Sequence, residues 1–137
     1  VIGPGSLYTS IIPNFLVDGI SEAIRSSGAV REYILNIMTQ DGETDGYTGE
    51  DHVRALLEHA GGDVIDVCIA NNAPVPEKWL APYRQEGVGP IEVDRAGIEA
   101  LGVAVREFPL CRPGRYIRHD ADALSRAILS VWREFEA

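Results

Sequence analysis

At 137 residues with 45% hydrophobic content, the chain has the size and apolar fraction of one domain, 1–137, with a real core. Its formal net charge of −9 excludes a nucleic-acid polymer as partner, because a phosphate backbone needs a basic face, but it still allows a single nucleotide. No apolar run approaches the roughly 18 residues of a membrane span and no basic-then-apolar export signal is present, so membrane insertion is not expected and the cytoplasm is the expected location.

Val1 and Ile2 read as the end of a buried strand, and Gly3-Pro4-Gly5-Ser6 as the tight turn after it. A start at the end of an element raises the expectation of a longer protein with earlier strands. "SIIPNFLVDGISEAIRSSG" gives a helical stretch broken near Pro13, then a helix from about Asp18 to Gly28. Residues 31–37 and 64–70 are β-branched and apolar, as strands buried on both faces are, and each ends in a polar loop. Between them Val53, Leu56, Leu57 and Ala60 recur at helical spacing, with Glu50 and Asp51 in the first turn and Gly61-Gly62 as a stop. "PEKWLAPYRQEG", a short strand at "PIEV" and the strand "VAVREF" follow. In the last helix Ala123, Leu124, Ala127, Ile128, Val131 and Trp132 line one face, with Asp120 as N-cap. This alternation predicts an α/β fold, a three-layer Rossmann-like sandwich with a mainly parallel sheet covered on both faces.

In such a sheet ligands bind beyond the carboxyl ends of the strands, and "GPGS", "MTQDGETDGYTG" and "NNAP" are expected to converge there. Gly3 and Gly5 let backbone amides approach a ligand, and Ser6, Thr9 and Ser10 open a helix whose amides favour a phosphate; the alternative is an ordinary strand-to-helix turn. Asp41, Glu43, Asp45 and Gly46 imitate a calcium loop, yet His52 stands where a bidentate glutamate belongs. No metal site is therefore expected. Thr44, Asp45, Tyr47 and Thr48 read equally as partners for sugar hydroxyls or as a solvated loop. The same two readings hold for Asn71 and Asn72, which either face a ligand or satisfy local backbone. Tyr83 is either a stacking platform or a core-edge tyrosine. "RPGRYIRHD" places Arg112, Arg115 and Arg118 in a loop; Arg118 is the candidate for diphosphate oxygens, and a solvated surface is the reading for Arg112 and Arg115. Cys68 and Cys111, at no metal-ligand spacing, read as thiols; His52 and His59 are given surface or helix-end roles, and His119 immediately precedes the last helix.

The runs "GPGSLYTSIIPN", "MTQDGETDGYT..DHV", "NNAPVP" and the terminal "RHD", in this order, resemble the YvcK/CofD-like family, on its bacterial gluconeogenesis-factor branch. The resemblance covers nearly the whole chain and implies its C-terminal portion. Family members carry an N-terminal glycine-rich nucleotide loop that these residues lack, so the sandwich is expected to be incomplete without an N-terminal portion. It further implies a nucleotide-sugar ligand of the UDP-N-acetylglucosamine type, no required cofactor, and a regulatory role in cell shape and growth on gluconeogenic carbon sources. A homodimer is compatible with it, and the protein partner stays unnamed. The family's other branch is a transferase moving phospholactate from a guanosine diphosphate carrier to a deazaflavin precursor. Its glycine loop continues with Asn-Pro where Leu7-Tyr8 stands here, which favours the UDP-sugar branch. The family pattern maps onto Gly3, Gly5 and Ser6 facing phosphate, with Thr9, Ser10 and Asn14 behind them and Asn71 and Asn72 on the same crevice. No catalytic residue is assigned.

Overall fold

The protein is described by a computed structural model covering residues 1–112, 114 and 116–137. Three strands, β1 (Glu32–Ile34), β2 (Val67–Asn71) and β3 (Ala104–Phe108), form a parallel sheet in the order β1-β2-β3. Ile2 extends it with a parallel bridge to Tyr33, so the expected strand end at the start of the chain does lie against β1. Parallel strands are buried on both faces, and the register shows how. Tyr33, Cys68 and Val105 lie side by side across the three strands, and all three side chains are fully buried in one cluster. Ile34, Val67 and Ile69 belong to a second cluster on the opposite face.

The first face is covered by α1 (Ile12–Phe15), α3 (Gly49–Ala60) and α5 (Arg95–Ala100), the second by α6 (Ala121–Glu136). The helix α3 begins where the sequence places it because Thr48 and Asp51 form a reciprocal capping box, and it ends at Gly61, whose φ of 73° is a left-handed conformation costly to other residues. It buries Val53 and Leu56 completely, each contributing on the order of 1.5–3 kcal/mol. On α6 the buried stripe is Leu124, Ala127 and Val131, and Asp120 caps it by accepting from the Ala123 amide at 2.9 Å. Trp132, expected on that stripe, is 46% exposed instead.

Several expectations are corrected. The first helical stretch opens as a π-helical turn over Leu7–Ile11 before α1, and the next helix, α2, spans Ile20–Ser26 behind Gly19 (φ 85°) rather than starting at Asp18. "PIEV" is no strand: Pro90 makes one antiparallel bridge to Met38, and the Ile91 amide donates to the Ile37 carbonyl at 2.9 Å. The helix α5 had no reading in the sequence, because its six residues are too short for a period to show. "RPGRYIRHD" is not simply a loop. Its ends form β4 (Cys111–Arg112) and β5 (Arg118–His119), paired antiparallel. Arg115 lies outside the described residues. The helix α4 (Glu77–Arg84) stands where expected.

Candidate functional site

At the carboxyl end of β1 the chain leaves the sheet as Leu35–Gln40, and this segment gathers the loops around it. Its side chains reach outwards to the first loop: Asn36 Nδ2 donates to the Gly5 carbonyl at 2.9 Å, and Gln40 Nε2 donates to Ser6 Oγ at 2.9 Å. From the other side, the ring of His119 is held on the Leu35 carbonyl through Nε2 at 3.1 Å. Tyr83 of α4 closes the far wall, where its hydroxyl accepts from the Ile117 amide at 2.9 Å. Together these segments enclose a crevice of about 700 Å³ lined by Gly5, Ser6, Gln40, Tyr83, Arg118 and His119.

The glycine loop has the backbone that its composition predicts. Gly3 sits at φ 84°, and a Cβ there would lie 3.2 Å from Ile11 Cδ1 and 3.3 Å from the Ile34 carbonyl oxygen, so glycine is required for conformation and space alike. The Ser6 carbonyl accepts from the amides of Ser10 and Ile11, both at 3.0 Å, which leaves the preceding amides at the amino end of the turn without intrahelical acceptors. Arg118 supplies the positive charge on the opposite wall. It is exposed, forms no ion pair with a carboxylate among the described residues, and holds its guanidinium 5.5 Å from the Tyr116 ring centroid. By contrast, Arg31, Arg95 and Arg106 are all paired with acidic side chains.

The expected site residues divide into groups. Gly5, Ser6, Tyr83 and Arg118 share the large crevice. Gly3, Ser10 and Asn14 line a separate cavity of about 360 Å³ beside Ile2 and Phe15, where Asn14 Nδ2 is spent on the Ser10 carbonyl at 2.7 Å. Thr9 is exposed and lines neither. Thr44 is buried beneath the crevice wall, its Oγ1 accepting from the Gln40 amide at 2.9 Å, and Asp45 points to solvent in the following turn. Asn71 and Asn72 line an adjoining pocket of about 150 Å³ that shares Asn36 and Ile37 with the large one. The Asn71 amide serves backbone: Oδ1 accepts from Leu110 and Cys111, both at 2.9 Å, and from Ala73 at 3.2 Å, while Nδ2 donates to the Ala73 carbonyl at 2.8 Å.

Among the polar residues lining the crevice, Asn36, Thr39, Gln40 and His119 had no site role in the sequence reading. His119 stood in the quoted "RHD", and its entry into the site depends on the β4–β5 pairing, which residue types alone do not signal. Burial holds its pKa below the ordinary imidazole value against the opposing bond to Leu35. His52 is fully buried and also lowered by desolvation, with Nδ1 donating to the Thr48 carbonyl at 2.8 Å. The loop that imitates a calcium site is tied down instead by aromatics: the Tyr8 and Tyr47 hydroxyls lie 2.8 Å apart, and the shared hydrogen bond raises the Tyr8 pKa to about 12.

A crevice outside the carboxyl end of a parallel strand, walled by a glycine loop and by an arginine with no carboxylate partner among the described residues, stands where open α/β sheets place their ligand crevices. The chain belongs to the CofD family: the model described as 2-phospho-L-lactate transferase CofD matches residues 1–111. It is 45% identical over 130 residues to the gluconeogenesis factor of Halalkalibacterium halodurans, covering 94% of this chain and 40% of that protein. Against the gluconeogenesis factor of Bacillus subtilis the identity is 38% over 135 residues, covering 98% and 43%. A crystal structure of a UPF0052 family member from Bacillus halodurans superposes with a TM-score of 0.90 at 44% identity, over 93% of this chain and 41% of that one. The chain thus spans about 40% of the length of these three relatives. Their shared fold accords with the α/β sandwich read from the sequence.

Proposed function

We propose that this chain carries part of a nucleotide-sugar site, of the UDP-N-acetylglucosamine type, in a regulatory protein whose ligand occupancy shifts the population of a partner-competent state. The observation that carries this reading is the pairing, across one crevice, of the Gly5-Ser6 backbone with Arg118, in a chain of net charge −9. Arg118, with no carboxylate partner among the described residues and a place on the crevice lining, is available to an anionic ligand, and Tyr83 lines the same crevice. The relatives' name supports a role in gluconeogenic growth, and a part in cell shape, in the bacterial cytoplasm, belongs to the same proposal. The test is calorimetric titration of the full-length protein that contains this chain with UDP-N-acetylglucosamine. Arg118→Ala should weaken binding by about ten- to a hundredfold, the scale of a charge-assisted hydrogen bond, and Lys should restore only part because it lacks the guanidinium fork. Wild-type affinity in the Ala variant removes Arg118 from the site.

The family match favours one second reading, a phospholactate transferase in which the same crevice holds a nucleoside diphosphate leaving group. Incubation with the guanosine-linked phospholactate and a deazaflavin precursor separates the two. Turnover supports the transferase; tight UDP-sugar binding without turnover supports the regulator.

A further inference from the structure

The imidazole of His119 is half-buried in the crevice wall next to Arg118, and its two nitrogens have different situations. Nε2 lies 3.1 Å from the Leu35 carbonyl. A carbonyl only accepts, so Nε2 carries the proton, and in a neutral ring Nδ1 is then a bare lone pair. Burial keeps the ring neutral near pH 7 by disfavouring the imidazolium. Nδ1 has no hydrogen-bond partner among the described residues, and unlike the enclosed Nε2 of His52 it reaches solvent. The crevice lining it shares offers donors, the Arg118 guanidinium and the Ser6 hydroxyl, whose oxygen already accepts from Gln40, while the unpartnered acceptor Oε1 of Gln40 is enclosed and out of a ligand's reach. Donors suit phosphate oxygens. A fixed acceptor beside them suits a ligand group that offers a proton.

We propose that Nδ1 of His119 accepts a hydrogen bond from a hydroxyl or N–H of the ligand, making His119 the specificity-determining residue that separates an organic nucleotide diphosphate from bare pyrophosphate. This deepens the nucleotide-sugar reading and rests on it. The Leu35 carbonyl fixes the tautomer, and with it the sense of the bond. Inorganic pyrophosphate engages the donors of the site but presents no sugar or base donor to the ring.

The experiment titrates the full-length protein that contains this chain, wild type and His119→Ala, with UDP-N-acetylglucosamine, with pyrophosphate, and with analogues that each lack one donor: 3-, 4- and 6-deoxy sugars, 2′-deoxyribose and N3-methyluracil. In His119→Ala, affinity for UDP-N-acetylglucosamine should fall about tenfold, the scale of one hydrogen bond, while affinity for pyrophosphate stays within twofold. One analogue should cost the wild type a similar factor and cost the variant nothing further. His119→Gln, which keeps an amide donor and an acceptor, serves if the Ala variant unfolds, and should retain affinity between the two. Equal losses for pyrophosphate and for every analogue overturn the proposal and leave the nucleotide-sugar reading standing. No binding of UDP-N-acetylglucosamine by the wild type overturns both.

Discussion

Asn71 offers a direct contest between a ligand-binding and a structural asparagine, and its bonds fix the magnitude. Replacing it with Ala removes one acceptor that serves three backbone amides and one donor that serves the Ala73 carbonyl. Leu110 is fully buried, so its amide has no water to turn to. An enclosed amide left unsatisfied costs about 1–3 kcal/mol, and the partly exposed Cys111 and Ala73 groups add less because water replaces part of the bond. A total loss of about 2–4 kcal/mol follows. With an unfolding entropy of about 2.1 cal/mol/K per residue over these residues, that is a fall of roughly 7–14 °C in Tm. Asn71→Asp keeps the acceptor and loses only the donor, so it should recover more than half of the loss near neutral pH. The assay is urea unfolding of wild type and both variants beside ligand titration. A structural Asn71 gives the stability loss in Ala with the affinity of the folded fraction nearly unchanged. An Ala variant within 0.5 kcal/mol of wild type that binds ligand poorly refutes this reasoning and returns Asn71 to the site.

Gly49→Ala should cost about 2–4 kcal/mol in urea unfolding, because a Cβ at this position would lie 2.2 Å from the Val93 carbonyl oxygen and 3.0 Å from Leu35 Cδ2; a neutral substitution would mean that the 90–93 segment yields freely. Asp66 accepts from the Arg31 amide at 2.8 Å and from its guanidinium Nε at 2.9 Å, which holds the carboxyl below its ordinary pKa. Its stabilisation is therefore present above the unfolded carboxyl pKa and lost as pH falls through the lowered one. Asp66→Asn should cost on the order of 1 kcal/mol at pH 7 and progressively less below about pH 4, so a cost independent of pH would assign the effect to something other than charge.

How much could be read in advance follows from how local each signal is. The helix α3 was legible to its ends because its capping box, apolar period and Gly61 stop all lie within the helix or one residue of it. The strands were legible as apolar runs, though the first strand spans only Glu32–Ile34, since from Ile37 onwards the chain bonds with residues 89–91 instead. The crevice was legible where residue type implies it: Gly5, Ser6, Tyr83 and Arg118 fall in it. It was illegible where a long-range pairing decides. Gln40 meets Ser6 across 34 positions, Asn36 meets Gly5 across 31, and His119 meets Leu35 across 84. Asn14, Thr44 and Asn71 have site-like chemistry that backbone groups already use, a competition that residue type alone does not reveal.

Those three long-range bonds converge on a single six-residue stretch, and this has a mechanical consequence. Leu35–Gln40 follows directly on β1, whose register with β2 is fixed, so its first residues are anchored to the most buried part of the molecule. The Leu35 amide continues the ladder by donating to the Ile69 carbonyl at 3.0 Å, and the Leu35 carbonyl then holds His119. From there the bonds run outwards, to Gly5 through Asn36 and to Ser6 through Gln40, while Thr44 braces Gln40 from behind. Both walls of the crevice are thereby referred to one rigid strand end rather than to each other. The Gly5-Ser6 loop and the Arg118-His119 ribbon have no hydrogen bond between them among the described residues, and the Leu35–Gln40 segment is bonded to both. A ligand that bridges the two walls adds the missing connection, and differential contact of that kind gives binding its leverage over a conformational equilibrium.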